Sequence, residues 1–130
     1  MDAHYTRLFT DDESHSRFED VAIELRQAFS AAGVETLPSA PFLASEGTFW
    51  VGSTTAWKGE AFHPAPRRFL LIEVTGEYAV TTSRGVTRHF GPGSVLLVED
   101  TQGRGHSTRT IRDGVALCVA LLAEAEGIAP

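Results

Sequence analysis

A chain of 130 residues with 42% apolar side chains can bury one hydrophobic core and is too short for two domains. A net charge of −6 opposes contact with a phosphate backbone, and a single cysteine, Cys118, excludes an internal disulfide framework. The start has neither a basic nor an apolar stretch, and the longest apolar run, 115–123, is about half of the ~20 residues of a membrane span. The expectation is a soluble cytoplasmic protein that binds neither nucleic acid nor membrane.

The opening residues, His4 among them, show no period and read as irregular. "HSRFEDVAIEL" (15–25) fits a strand, while "ELRQAFSAAG" (24–33) fits a short helix equally well, with Leu25, Ala28, Phe29 and Ala32 on one face. "LPSAPFLAS" (37–45) is too rich in proline for regular structure, and "GTFWVGSTTAW" (47–57) reads as a strand with a turn. From Phe69 onward the chain is a series of short strands. "FLLIEV" ends at Thr75-Gly76, "EYAVTTS" at Arg84-Gly85 and "VTRHF" at "GPG" (91–93). "SVLLVE" then runs as a buried strand into the loop "TQGRG", and "HSTRTI" turns at Asp113-Gly114 into "VALCVALL". Turns every 8–12 residues predict an all-β barrel or sandwich. Glu124 to Pro130 reads as a frayed tail.

Five histidines divide into two groups. His4 and His89 read as solvated, and His15, preceded by three acids in "DDESH", as an exposed, acid-paired side chain. His63 and His106 each follow a loop and open a strand, where an antiparallel barrel can bring them together as half of a metal or acid/base site. Cys118, inside "VALCVALL", reads as a buried inert thiol.

"HPAPRRFLLIEVTGEYAV" (63–80) and "GPGSVLLVEDTQGRGHSTR" (91–109) resemble the two motifs of a small single-domain cupin, over roughly residues 57–122. With the "ESH…FED" start, they are also similar to a subgroup of small microbial cupins. The resemblance implies a cupin-type antiparallel β-barrel or jelly roll. In it, 1–56 is an N-terminal extension whose edge strands pack on the barrel or on a partner, 57–122 the core of the single domain, and 123–130 a tail. A homodimer is the expected assembly.

The metal-ligand set that the resemblance implies is incomplete. His63 and His106 fall on ligand histidines, but Ala65 and Phe69 stand where the family has a second histidine and a glutamate. Trp57 replaces the leading glycine, and Thr101 the proline of the second motif. No cofactor is favoured; a divalent metal (Fe, Mn, Zn or Ni) would have His63 and His106, with any rescue coming from Glu60, Glu99, Asp100 or His15. If Phe69 occupies the inward-facing glutamate position, Glu73 shares its face, ~13 Å further along the strand. Glu73 is then either a buried acid/base group or half of an ion pair with Arg67, Arg68 or Arg109.

Three readings of function follow. The first is a small-molecule enzyme doing isomerase, cyclase, dehydratase or lyase-type acid/base chemistry, with His63, Glu73 and His106 catalytic. In that reading Arg67, which can pair with an anionic group, binds substrate together with Phe69, Trp57 and Tyr78. Trp50 and Phe62 are further candidates for an apolar lining, and Glu99 and Asp100 are partners for the arginines. The second reading is a metal-dependent oxygenase or lyase with non-standard ligands; the third is a non-catalytic ligand-binding protein.

Overall fold

The structure, a computed structural model, describes residues 1–29, 32–33, 35, 37–40, 43–59 and 61–122. Among these the chain is all-β. Its strands are β1 (Asp2–Thr10), β2 (Ser16–Glu24), β3 (Gln27–Phe29), β4 (Leu37–Ser39), β5 (Ser45–Ser53), β6 (Phe69–Glu73), β7 (Glu77–Thr82), β8 (Thr87–Phe90), β9 (Val95–Val98), β10 (His106–Arg112) and β11 (Gly114–Leu121). A six-stranded sheet, ordered β2-β1-β9-β6-β11-β5, packs on a three-stranded sheet, β10-β7-β8. This is the all-β architecture expected, of the barrel or jelly-roll type, with the two sheets not closed into one ring. Neighbouring strands are antiparallel except β1 and β9, which run parallel.

The "SVLLVE" run explains itself through this layering. Leu96 and Val98 face the layer between the sheets, with Tyr78, Val80 and Phe90 opposite them. Val95 and Leu97 face the other side, against Tyr5, Val21 and Leu70. A strand covered on both faces reads as a continuous apolar run instead of an alternating one. Burying each such leucine stabilises the fold by ~1.5–3 kcal/mol. Strand β6 alternates in the same way: Phe69 and Leu71 point between the sheets and Leu70 points away.

Three local expectations for the first 40 residues do not hold. The start is not irregular: β1 begins at Asp2, and His4 stands opposite Ala22 in the β1–β2 ladder. What orders it is partly non-local, because Leu8 pairs with Val98 and is fully buried. The helix offered for residues 24–33 is absent among the described residues, where β2 runs to Glu24 and Gln27–Phe29 forms β3. Helix propensity is a weak preference, here overridden by the pairing of β3 with β4. The proline-rich stretch does hold a short strand, β4, with Pro38 opposite Ala28 in an isolated two-stranded pair, a setting that tolerates proline. The tail at 124–130 and Glu60 lie outside the described residues.

Candidate functional site

Between the two sheets lies a cavity of about 650 Å³. Its walls are period-two rows, because alternate side chains of a strand share a face. Strand β6 supplies Phe69, Leu71 and Glu73, β7 supplies Tyr78 and Val80, and β10 supplies His106, Thr108 and Thr110. Leu96 and Val98 of β9, Ala116 and Cys118 of β11, and Phe49 and Val51 of β5 continue the rows. Trp57 and His63 come from the connection between β5 and β6.

Pairing register sets the two ends of this space. Val98 stands opposite Phe69, and two residues later Asp100 reaches His106, so the histidines lie at the Phe69 end of β6. Glu73 lies at the other end with Tyr78, whose pairing partner in β10 is Thr110. Four residues of strand separate Phe69 from Glu73, ~13 Å. His63, His106 and Glu73 therefore line one cavity but do not converge on one point.

His63 and His106 form an antiparallel bridge, each N–H donating to the other's carbonyl at 3.0 Å. Their ring centroids are 5.3 Å apart. Gly105 makes this approach feasible: its φ is +73°, and a Cβ there would lie 2.0 Å from the His63 carbonyl carbon and oxygen. The two rings differ in setting. His106 is buried, whereas His63 is exposed at the mouth.

Each imidazole has one nitrogen committed. His63 Nδ1 lies 2.9 Å from the Pro64 carbonyl, which can only accept, so Nδ1 carries the proton and Nε2 is the free nitrogen. His106 Nδ1 lies 2.5 Å from Asp100 Oδ2. Asp100 is completely buried, and its Oδ1 has no partner among the described residues. The carboxylate holds the ring by Nδ1 and leaves Nε2 without a hydrogen bond among the described residues. A carboxylate–imidazole pair with a free Nε2 is equipped to take a proton from a bound molecule and return it.

At the opposite end Glu73 is 6% exposed. Its Oε2 accepts the Gly76 N–H at 2.9 Å, and Oε1 makes no hydrogen bond among the described residues. None of the three expected arginine partners, Arg67, Arg68 and Arg109, pairs with it among the described residues. Burial, reinforced by the nearby Glu73 carboxylate, raises the Cys118 thiol from the usual 9.0 to about 11, which leaves it inert at neutral pH. Burial, with Glu73 and Cys118 adding to it, also pushes the Tyr78 phenol well above its usual range. The Tyr78 hydroxyl is enclosed and has no partner among the described residues.

Of the substrate-binding residues expected, Phe69, Trp57 and Tyr78 line the cavity and Arg67 does not. Arg67 pairs with Glu46 at 2.8 Å and donates to the Leu121 carbonyl, so its charge is turned away from the interior. Arg68 pairs with Glu99, which also binds Arg7 at 2.6 Å, a network that ties β1 to the end of β9. Trp50 and Phe62 are exposed and outside the lining. His15 is not acid-paired through its ring: Nδ1 meets Ser83 Oγ at 2.8 Å, while its backbone N–H takes Asp11. His89 contacts Glu77 at 2.9 Å on the surface.

Asp100, assigned in the sequence reading to an arginine or a metal, instead holds His106. Its signal was available in "DTQGRGH", an acid and a histidine on either side of a glycine-rich turn. Among the described residues no group of three or more His, Cys, Asp or Glu side chains is placed to hold a metal. His63 and His106 together offer two Nε2 atoms, short of the three or four ligands of ordinary protein sites. Neither a scan against protein-family models nor a search of curated proteins found a match to this chain. The cupin resemblance accordingly rests on the residues quoted for it.

Proposed function

We propose that the protein is a small-molecule enzyme that moves protons in the cavity between its sheets, with isomerisation, cyclisation, dehydration or lyase-type elimination as the reaction types. The observation that carries this reading is the Asp100–His106 pair, a 2.5 Å contact with the carboxylate fully enclosed and Nε2 left free. In this reading His106 is the general base or acid, and Asp100 is a positioning residue that sets its tautomer. His63 Nε2, one ring away, serves as the second proton carrier. Glu73, first grouped with them, acts on the far end of the bound molecule. Apolar walls exclude water and strengthen each polar contact inside.

A general-base probe tests the reading without knowledge of the substrate. 5-Nitrobenzisoxazole loses one C–H proton to a base while its N–O bond breaks, giving a nitrile and a coloured phenolate. Wild-type protein should accelerate this above buffer. His106→Ala should lose the acceleration, and Asp100→Asn should lower it and shift its pH profile, with a loss of ~10²–10⁴-fold marking a true general base. Equal rates in wild type and His106→Ala would overturn the assignment.

The two imidazoles also carry the metal-dependent alternative. Elemental analysis of protein purified without chelator or added metal separates it: a stoichiometric metal lost in His63→Ala and His106→Ala would replace the acid/base reading.

A further inference from the structure

The cavity also states what kind of molecule it can take, provided that it is the functional site. None of the 11 lysines and arginines, all within the described residues, lines it. The two arginines nearest in sequence to its first strand are held elsewhere, Arg67 by Glu46 and Arg68 by Glu99. An anionic ligand would therefore lose its hydration and meet no lysine or arginine, next to the Glu73 carboxylate, the one carboxylate on the wall among the described residues. Apart from His63, His106 and the hydroxyls of Ser53, Thr54, Thr108 and Thr110, the remaining wall is apolar, with the aromatic side chains of Phe49, Trp57, Phe69 and Tyr78 among it. A planar, ring-bearing molecule matches such walls.

Polarity at the end away from the histidines narrows the class. Glu73 Oε2 is occupied by Gly76 N–H, so Oε1 alone is left to accept. Oε1 is also not sealed off in the way the Tyr78 hydroxyl is. The Thr110 hydroxyl, on the wall at the same end, has no side-chain hydrogen bond among the described residues. One free acceptor and one hydroxyl that can donate match a group with one hydrogen to give and lone pairs to fill. A ligand hydroxyl is such a group. An ether or ketone gives no hydrogen to Glu73 and a carboxylate repels it, while a primary ammonium, though attracted by the charge, brings three hydrogens to one free carboxylate oxygen and loses the hydration of the rest against a mostly apolar wall.

We propose that this cavity binds an uncharged, largely apolar, ring-bearing molecule whose hydroxyl group donates to Glu73 Oε1 at the end away from the histidines. The opposite edge of that molecule then lies beside the free Nε2 atoms of His106 and His63, where the proton chemistry proposed above takes place. Glu73 thus sets both which molecules enter and which way round they lie.

Isothermal titration of wild-type protein at neutral pH with four naphthalene probes tests this. 2-Naphthol should bind roughly tenfold or more tightly than 2-methoxynaphthalene, because a buried acceptor left unpaired penalises the ether, and 2-naphthoate should not bind measurably. Glu73→Leu should abolish the preference for naphthol over the ether, while His106→Ala should keep it. If Glu73→Leu does not fold, the four-probe series on wild-type protein still decides. Equal binding of naphthol and its ether, measurable binding of naphthoate, or tighter binding of 2-naphthylmethylammonium would each overturn the proposal. The two readings fail separately. Selective naphthol binding without histidine-dependent elimination of 5-nitrobenzisoxazole removes the acid/base role and keeps the ligand class. Elimination that depends on His106, with no naphthol preference, does the reverse.

Discussion

Replacing Gly105 with alanine tests how the two histidines come to share one end of the cavity. The position has φ +73°, and a Cβ would sit 2.0 Å from the carbonyl carbon and oxygen of His63 and 2.2 Å from Pro64 N. These are backbone atoms, so the clash cannot be relieved by rotating a side chain. A left-handed alanine costs ~1–2 kcal/mol by itself. Moving the 63–64 backbone away also breaks both 3.0 Å hydrogen bonds of the His63–His106 bridge, each worth about 1 kcal/mol. The sum is ~3–4 kcal/mol, or roughly 10–20 °C in Tm for a domain of this size. Gly85 provides the control: its φ is +89°, but nothing lies within 4 Å of a Cβ built there. Gly85→Ala should cost only the ~1–2 kcal/mol of backbone strain. Urea denaturation of both variants, with histidine ring resonances followed by NMR, measures the difference. Equal destabilisation of the two, with the resonances of His63 and His106 unmoved, would refute the close approach as the cause.

Asp100→Asn keeps the volume of a fully buried side chain but allows its amide to face His106 Nδ1, so the ring should adopt the other tautomer. Nitrogen shifts of His106 report this directly, and an Nδ1–H pattern unchanged in both Asp100→Asn and Asp100→Ala, which has no acceptor, would remove Asp100 as the positioning residue. Glu99→Ala removes one carboxylate shared by Arg7, which keeps Glu19, and Arg68, which keeps the Leu122 carbonyl, and should cost ~1–3 kcal/mol, read as a lower urea midpoint; a midpoint unchanged within error would show the network to be idle. Cys118 makes the fold sensitive to alkali. Its folded pKa lies above its unfolded value, so stability is intact below pH 9.0 and falls as pH rises toward about 11, when the unfolded chain loses a proton that the folded chain keeps. Denaturation midpoints of wild type should therefore fall across that window more steeply than those of Cys118→Ala, and parallel profiles would contradict it. The homodimer expectation is checked by light scattering at micromolar concentration, where the mass of one chain rejects it.

How much of this was legible in the sequence follows from the range of the interactions involved. From Phe69 to Leu121 the strands match their reading because the signals are local: Thr75-Gly76, Arg84-Gly85 and Asp113-Gly114 mark turns, and residues two apart must share a face. That rule also put Glu73 on the same side as Phe69, where the cavity wall has it. His106 stood out for its place at a strand mouth and does open β10, whereas His63 opens no strand and meets it as an isolated bridge in the connection between β5 and β6.

The other features depended on partners far along the chain. Strand β1 pairs with its neighbour β2 but owes the burial of Leu8 to β9, some 90 residues later, which no local pattern announces. Arg67 looked like an anion ligand until Glu46 claimed it, a pairing that arises only when the segment before β5 lies beside the β6 entry. Asp100 was visible as an acid, but its role depends on a glycine-rich loop folding back so that the carboxylate meets Nδ1 of His106 and not a neighbouring arginine. The sequence alone determined the strand periodicity, the turns and the residue types available for chemistry, because these are set within a few bonds. Only the tertiary structure decided which charged groups neutralise one another and which are left facing the cavity, because that is settled by contacts between segments that the chain itself does not place side by side.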